Sequence, residues 1–140
     1  MNVFQVNILA ADQPFYEGVC ESLVVPTDTG QFGVLAHHSN VICAIVPGIL
    51  SYKLPDQPVQ IAAVSAGLIK IENNHVLILV DTAERPEEID ANRAKRAADE
   101  AKEAMLQKRS IQEYHSAQAN LARAISRLRV KDRQVRSQSK

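Results

Sequence analysis

The chain has 140 residues with 16 basic and 16 acidic side chains, so its formal charge is zero. That zero is the sum of two opposite halves: residues 1–84 carry two cations against eight carboxylates, a net of −6, and residues 85–140 carry fourteen against eight, a net of +6. With 46% hydrophobic residues the chain is not a disordered one, and no apolar run nears the roughly 20 residues that span a bilayer. Charge asymmetry of this kind signals an interaction, and here it marks two modules.

Met1-Asn2-Val3-Phe4-Gln5-Val6 has neither a basic region nor a long apolar stretch, so no secretory leader is expected. Cys20 and Cys43 stand alone, without CxxC spacing, which predicts reduced thiols on the cytosolic side of a membrane.

Strands come first. Val3–Leu9 places Phe4, Val6 and Ile8 on one face and Gln5 and Asn7 on the other, the period of a half-buried strand. Similar runs follow at Val19–Val25, Asn40–Val46, Gly48–Lys53, Val59–Val64, Gly67–Glu72 and His75–Val80. Turn chemistry separates them, and Asn73-Asn74 suits a two-residue hairpin turn whose central residues need positive φ. Short strands without long helical stretches between them predict an antiparallel β-sandwich or barrel over residues 1–84, with Phe4, Phe15, Tyr16, Phe32 and Tyr52 anchoring its core.

Residues 85–140 read differently. From Glu87 onward there is no Gly or Pro, and alanine is frequent. Ala94, Ala97, Ala98, Ala101 and Met105 recur at helical spacing, and Glu87, Glu88 and Asp90 favour the positive end of a helix dipole. Ser110-Ile111-Gln112-Glu113 fits a capping box, after which Tyr114, Ala117, Leu121, Ile125 and Leu128 form a second stripe. The expectation is a helix over about 89–107, a break, and a helix over about 111–132, folded as an antiparallel two-helix hairpin. Its alanine seam buries little, since each buried CH₂ contributes only about 0.8 kcal/mol. A mobile arm is expected.

The order of these segments resembles the epsilon subunit of bacterial-type F-type ATP synthases. Phe4–Leu9 leads to Tyr16-Glu17-Gly18, similar to the family's opening strand and turn. Gly30-Gln31-Phe32-Gly33-Val34-Leu35-Ala36-His37-His38 is similar to its G-x-x-G-[IV]-L-P-G-H segment, Val64–Leu68 to its "sGGf" strand entry, and Val80–Arg85 to its sandwich exit. Ile89–Ala94 and Ala122–Val130 resemble its two helices. The chain departs from the family where Ala36-His37 replaces the usual Pro-Gly before His38.

The resemblance implies a non-catalytic central-stalk subunit. Its sandwich would meet the gamma subunit and the c-ring, and its helices would reach the alpha and beta subunits to restrain ATP hydrolysis. It would sit peripherally on the cytoplasmic face of the cell membrane. Gln31, Phe32, Gly33, Val34, His37 and His38 are expected in an exposed contact loop. Arg123, Arg127, Arg129 and Arg133, with Lys131 and Arg136, would carry the arm's positive charge to acidic surfaces.

Ile89-Asp90-x-x-Arg93-Ala94 resembles the I-D-x-x-R-A motif associated with ATP binding in some epsilon subunits. With Glu84, Arg123 and Arg127 it implies ATP as a regulatory ligand, since guanidinium groups suit phosphate. Glu100 replaces an arginine that ATP-binding members carry there. In the plainer alternative, Asp90 caps the first helix and pairs with Arg93 while the other arginines are solvated.

No cofactor is required by this reading. There is no GxxxxGK[ST] loop, so catalysis of nucleotide hydrolysis is not expected, and His37, His38, His75 and the cysteines lack metal-ligand spacing. Two other readings stay open: a nucleic-acid-binding β-barrel with a basic helical arm, and a coiled-coil adaptor.

Overall fold

The computed structural model describes residues 2–107 and 110–138, with side chains through Gln134. Ten strands precede the helices: β1 (Phe4–Ala10), β2 (Pro14–Cys20), β3 (Ser22–Thr27), β4 (Gly30–Leu35), β5 (Val41–Ile45), β6 (Gly48–Lys53), β7 (Gln60–Val64), β8 (Gly67–Glu72), β9 (His75–Val80) and β10 (Ala83–Glu84). A 3-10 turn at Pro86–Glu88 leads into α1 (Ala91–Gln107) and α2 (Ile111–Gln138).

The strands form two five-stranded sheets, ordered β2-β1-β9-β8-β5 and β10-β7-β6-β3-β4. Their inner faces enclose one apolar core, so the module is a sandwich rather than a barrel. Alternation explains the layering: Phe4, Val6 and Ile8 of β1 are buried while Gln5 and Asn7 are exposed. Phe15 and Tyr52 lie edge to face in the core at 6.0 Å. All pairings are antiparallel except β1 with β9, which run parallel.

Several expectations change. The run Val19–Val25 is two strands, since the chain breaks at Glu21 between β2 and β3. Residues 14–18 are strand despite Pro14, because β2 is a sheet edge and Pro14 is its first residue, where a missing N–H costs little. The expected contact loop is mostly not a loop. Gly30–Leu35 is the edge strand β4, zipped to β3 from Thr27↔Gly30 to Ser22↔Leu35. Strand alternation turns Val34 into the core at 1% exposure, so Val34 is not a surface contact.

Turn chemistry follows the side chains. Asn73 and Asn74 take φ of 50° and 63°, joining β8 to β9. His37 takes φ 65° at the position where the resembled segment has glycine, and its N–H donates to Asn74 Oδ1 at 2.6 Å.

α1 begins at Ala91, two residues later than expected, and α2 runs to Gln138, beyond the expected 132. The predicted break at residues 108–109 lies outside the described residues. Ser110 caps α2 as its sequence suggests, its Oγ accepting the Glu113 N–H at 3.0 Å. The seam holds Ala94, Ala98 and Ala101 against Ala117 and Ala124. Of the expected stripe, Ala117 is buried, Leu121, Ile125 and Leu128 are half-buried, and Tyr114 is 37% exposed.

The second half of α2 packs on β6 and β7, on the outer face of the β10-β7-β6-β3-β4 sheet. Val130, fully buried, packs with Ala63 and Ile89, and Ile49 and Ile61 join them. Sheet and hairpin therefore share a small apolar contact of their own, separate from the sandwich core.

Candidate functional site

The sandwich exit, the 3-10 turn and the start of α1 meet α2 at the root of the hairpin. A cleft of about 370 Å³ opens there, lined by Glu84, Glu88, Asp90, Arg93, Ala94, Ala97 and Arg127. The fold thus brings five of the seven expected nucleotide-site residues to one place, and Glu88 joins them. Glu88 carries no motif signal, because only the 3-10 turn aims it there.

The cleft's charges are largely engaged. Arg127 Nε and Nη2 both lie 2.7 Å from Glu84 Oε1, tying α2 to β10. Asp90 is the N-cap of α1, its Oδ1 accepting the N–H groups of Asn92 at 3.0 Å and Arg93 at 3.2 Å. The capping half of the plainer alternative therefore holds. Its other half does not, since no ion pair joins Asp90 to Arg93 among the described residues. Arg93 is exposed and presents its guanidinium at the cleft.

Two expected members fall elsewhere. Ile89 is buried with Ala63 and Val130 in the patch between α2 and the sheet and does not line the cleft. Arg123 donates to Asn120 Oδ1 and lines an adjoining cavity of about 680 Å³ between α1 and α2, together with Glu100. Arg127 and Ala97 border both spaces. Three carboxylates against two guanidiniums leave the root cleft net negative, so phosphate held there needs Arg123 as well.

The linker is itself clamped. Arg85 Cζ lies 4.0 Å over the Phe15 ring, its Nη2 donates to the Phe15 carbonyl at 2.7 Å, and its Nη1 lies 3.4 Å from Glu88. Lys131 Nζ donates to the Pro86 carbonyl at 3.1 Å, a further tie between α2 and the turn.

Of the expected partner contacts, Gln31, Gly33 and His37 are exposed, and Phe32 and His38 are half-buried with rings 5.2 Å apart. Arg129 and Arg133 are exposed on α2, and Arg136 lies outside the described side chains. Sequence reasoning missed a larger surface. On the outer face of the β2-β1-β9-β8-β5 sheet, register aligns Ala44, Leu68, Leu79 and Leu9 across four strands. Ile42 stands beside this row at 68% exposure, and neither helix packs on this face among the described residues. Its signal was the apolar residues Leu68, Leu77 and Leu79 at outward positions of otherwise alternating strands.

The chain is thus a β-sandwich carrying a clamped alanine-rich helical hairpin, with an apolar sheet face on the side away from it. Family models specify it: residues 3–86 match the ATP synthase delta/epsilon chain β-sandwich domain, and residues 87–132 match the long α-helix domain of the same chain. The chain belongs to the ATP synthase delta/epsilon family. An ATP synthase epsilon chain of Ruminiclostridium cellulolyticum is 38% identical over 95% of this chain and 98% of its own length. Another, from Caldanaerobacter subterraneus subsp. tengcongensis, is 40% identical over 91% of this chain and 92% of its own.

The fold is shared with a chain of the Euglena gracilis mitochondrial ATP synthase OSCP/F1/c-ring structure. That match has a TM-score of 0.77 and 21% identity over 87% of this chain and 77% of that one. A chain of the Tetrahymena thermophila mitochondrial ATP synthase central stalk/c-ring structure gives 0.62 at 9% identity, over 91% and 95%. No described helix is long and apolar enough to cross a membrane. The nucleic-acid reading loses ground too, because Phe4, Phe15 and Tyr52 are buried in the core and form no stacking platform.

Proposed function

We propose that the chain is the non-catalytic epsilon subunit of a rotary ATP synthase, peripheral to the cytoplasmic side of the membrane. Its sandwich anchors on the gamma subunit and the c-ring, and its helical arm restrains ATP hydrolysis by reaching the alpha and beta subunits. The observation that carries this is the joint between the modules: among the described residues, a +6 arm is fastened to a −6 sandwich through one small patch around Val130 and the polar ties of Arg127 to Glu84 and Arg85 to Phe15. Burying a valine contributes about 1.5–2 kcal/mol and a half-exposed ion pair about 1 kcal/mol. Docked and released arms then differ by little, and acidic surfaces on a partner can shift the balance.

The bare row Ala44, Leu68, Leu79 and Leu9, with Ile42, is the surface assigned to gamma. Gln31, Phe32, Gly33, His37 and His38 remain candidates for the c-ring. ATP is the regulatory ligand proposed for the root cleft, with Arg93, Arg127 and Arg123 on its phosphates and Asp90 Oδ2 free for an adenine amino group. Bound there, it would hold the hairpin shut.

Hydrolysis by the assembled complex with and without residues 87–140 tests the main reading. Faster hydrolysis at low ATP after truncation is expected, and an unchanged rate would overturn the inhibitory role. Calorimetry at millimolar ATP tests the cleft. Heat that Arg93→Ala removes is expected, and no heat in the full chain refutes it.

A further inference from the structure

A further cavity, of about 410 Å³, opens where Arg133 and Gln134 of α2 meet the sandwich, with a lining distinct from that of the root cleft. That volume lies in the range of sites that hold small organic ligands. Val59, Ile61 and Pro86 make its apolar wall. Val59 is 58% exposed, a branched apolar side chain left facing solvent beside an otherwise filled core. Arg85 and Arg133 stand around this wall, with Glu87 also on the rim.

The two guanidiniums differ in kind. Arg85 is preset by the Phe15 ring, the Phe15 carbonyl and Glu88, so engaging it costs little further side-chain ordering. Arg133 is exposed and comes from α2, so it borders the cavity only while that helix lies on the sandwich. Glu87 on the rim and Glu88, 3.4 Å from Arg85 Nη1, match the two guanidiniums in number, so exposed Arg133 is the cation that a ligand meets first. An apolar wall beside an exposed guanidinium, with a second planar donor preset next to it, suits a single carboxylate attached to an apolar body.

We propose that this junction cavity is a binding site for a small amphiphilic carboxylate. Its apolar body covers Val59, Ile61 and Pro86, and its carboxylate accepts from Arg133 and Arg85. Because the walls come from both modules, the ligand binds the docked arm better and shifts the arm toward docking. That consequence rests on the mobile-arm reading; the site itself does not.

Octanoate is the probe, titrated into the ¹⁵N-labelled full chain and followed by amide shifts. Saturable shifts are expected at Val59, Gln60, Ile61, Arg85 and Glu87, with none from octylammonium. Arg133→Gln should weaken octanoate about tenfold, the share of one charge-assisted hydrogen bond, and Val59→Ser should weaken it too. Shifts that do not saturate, an equal response to octylammonium, or undiminished binding in Arg133→Gln would overturn the site. Normal octanoate binding with no change in the distance between labels on Gln57 and Arg129 would instead count against the mobile arm.

Discussion

Gly67 opens β8 opposite Val80, and a Cβ placed on it would fall 1.9 Å from the Leu79 carbonyl oxygen. Neither backbone can yield without breaking the β8–β9 ladder. Gly67→Ala should therefore cost about 3 kcal/mol or more in urea unfolding, whereas Gly33, with nothing near its absent Cβ, should accept alanine within about 0.5 kcal/mol. Two buried acids, Cys20 and Tyr52, and the half-buried Tyr16 bear on the alkaline limit. Burial raises the Cys20 thiol above its ordinary 9.0 and the Tyr52 and Tyr16 hydroxyls above their ordinary 10.0. In the unfolded chain these groups lose protons first, so their contribution is intact below pH about 9 and falls as pH rises through the folded values. Denaturant melts at rising pH should show that limb, and Tyr52→Phe should flatten it. A limb unchanged in Tyr52→Phe and Cys20→Ala would assign it elsewhere.

At the scale of elements, the joint between α2 and the sandwich is the weak place. Among the described residues, Val130 is the largest fully buried side chain of α2, and it forms the patch with Ala63 and Ile89. Val130→Ala should cost about 1–2 kcal/mol and speed amide exchange in the second half of α2 while leaving β1, β8 and β9 protected. Equal speeding throughout the chain would mean that arm and sandwich unfold as one unit. The helices were legible because alanine spacing and the absence of Gly and Pro leave little alternative to helix. Their buried stripe was less so. Ala117, Ala124 and Val130 are buried rather than Tyr114, since α2 serves two neighbours, α1 and the sheet. β4 was misread for a related reason: Gly30-Gln31-Phe32-Gly33 has weak strand propensity, and pairing with β3 overrides it.

For the whole molecule, opposite net charges on the two modules hold the arm down from a distance as well as through Arg127 and Glu84. Salt should loosen that hold, because the Debye length shrinks from about 10 Å at 0.1 M to about 3 Å at 1 M. Labels on Gln57 and Arg129 should move apart between low and high salt, and Arg127→Gln should lower the salt needed. A salt-independent distance would show that apolar packing alone docks the arm.

Sequence alone determined the modules, their order, the charge on each and the family they resemble, because period, glycine and proline placement and charge are properties of the chain itself. Tertiary structure decided what those residues face. It put Val34 in the core and Ile89 against Ala63 and Val130, paired Arg127 with Glu84, and brought Glu88 to the site. Among the described residues it also set α2 on β6 and β7 of one sheet and no helix on the outer face of the other. Contacts between residues more than forty positions apart depend on register and packing, which no local pattern encodes.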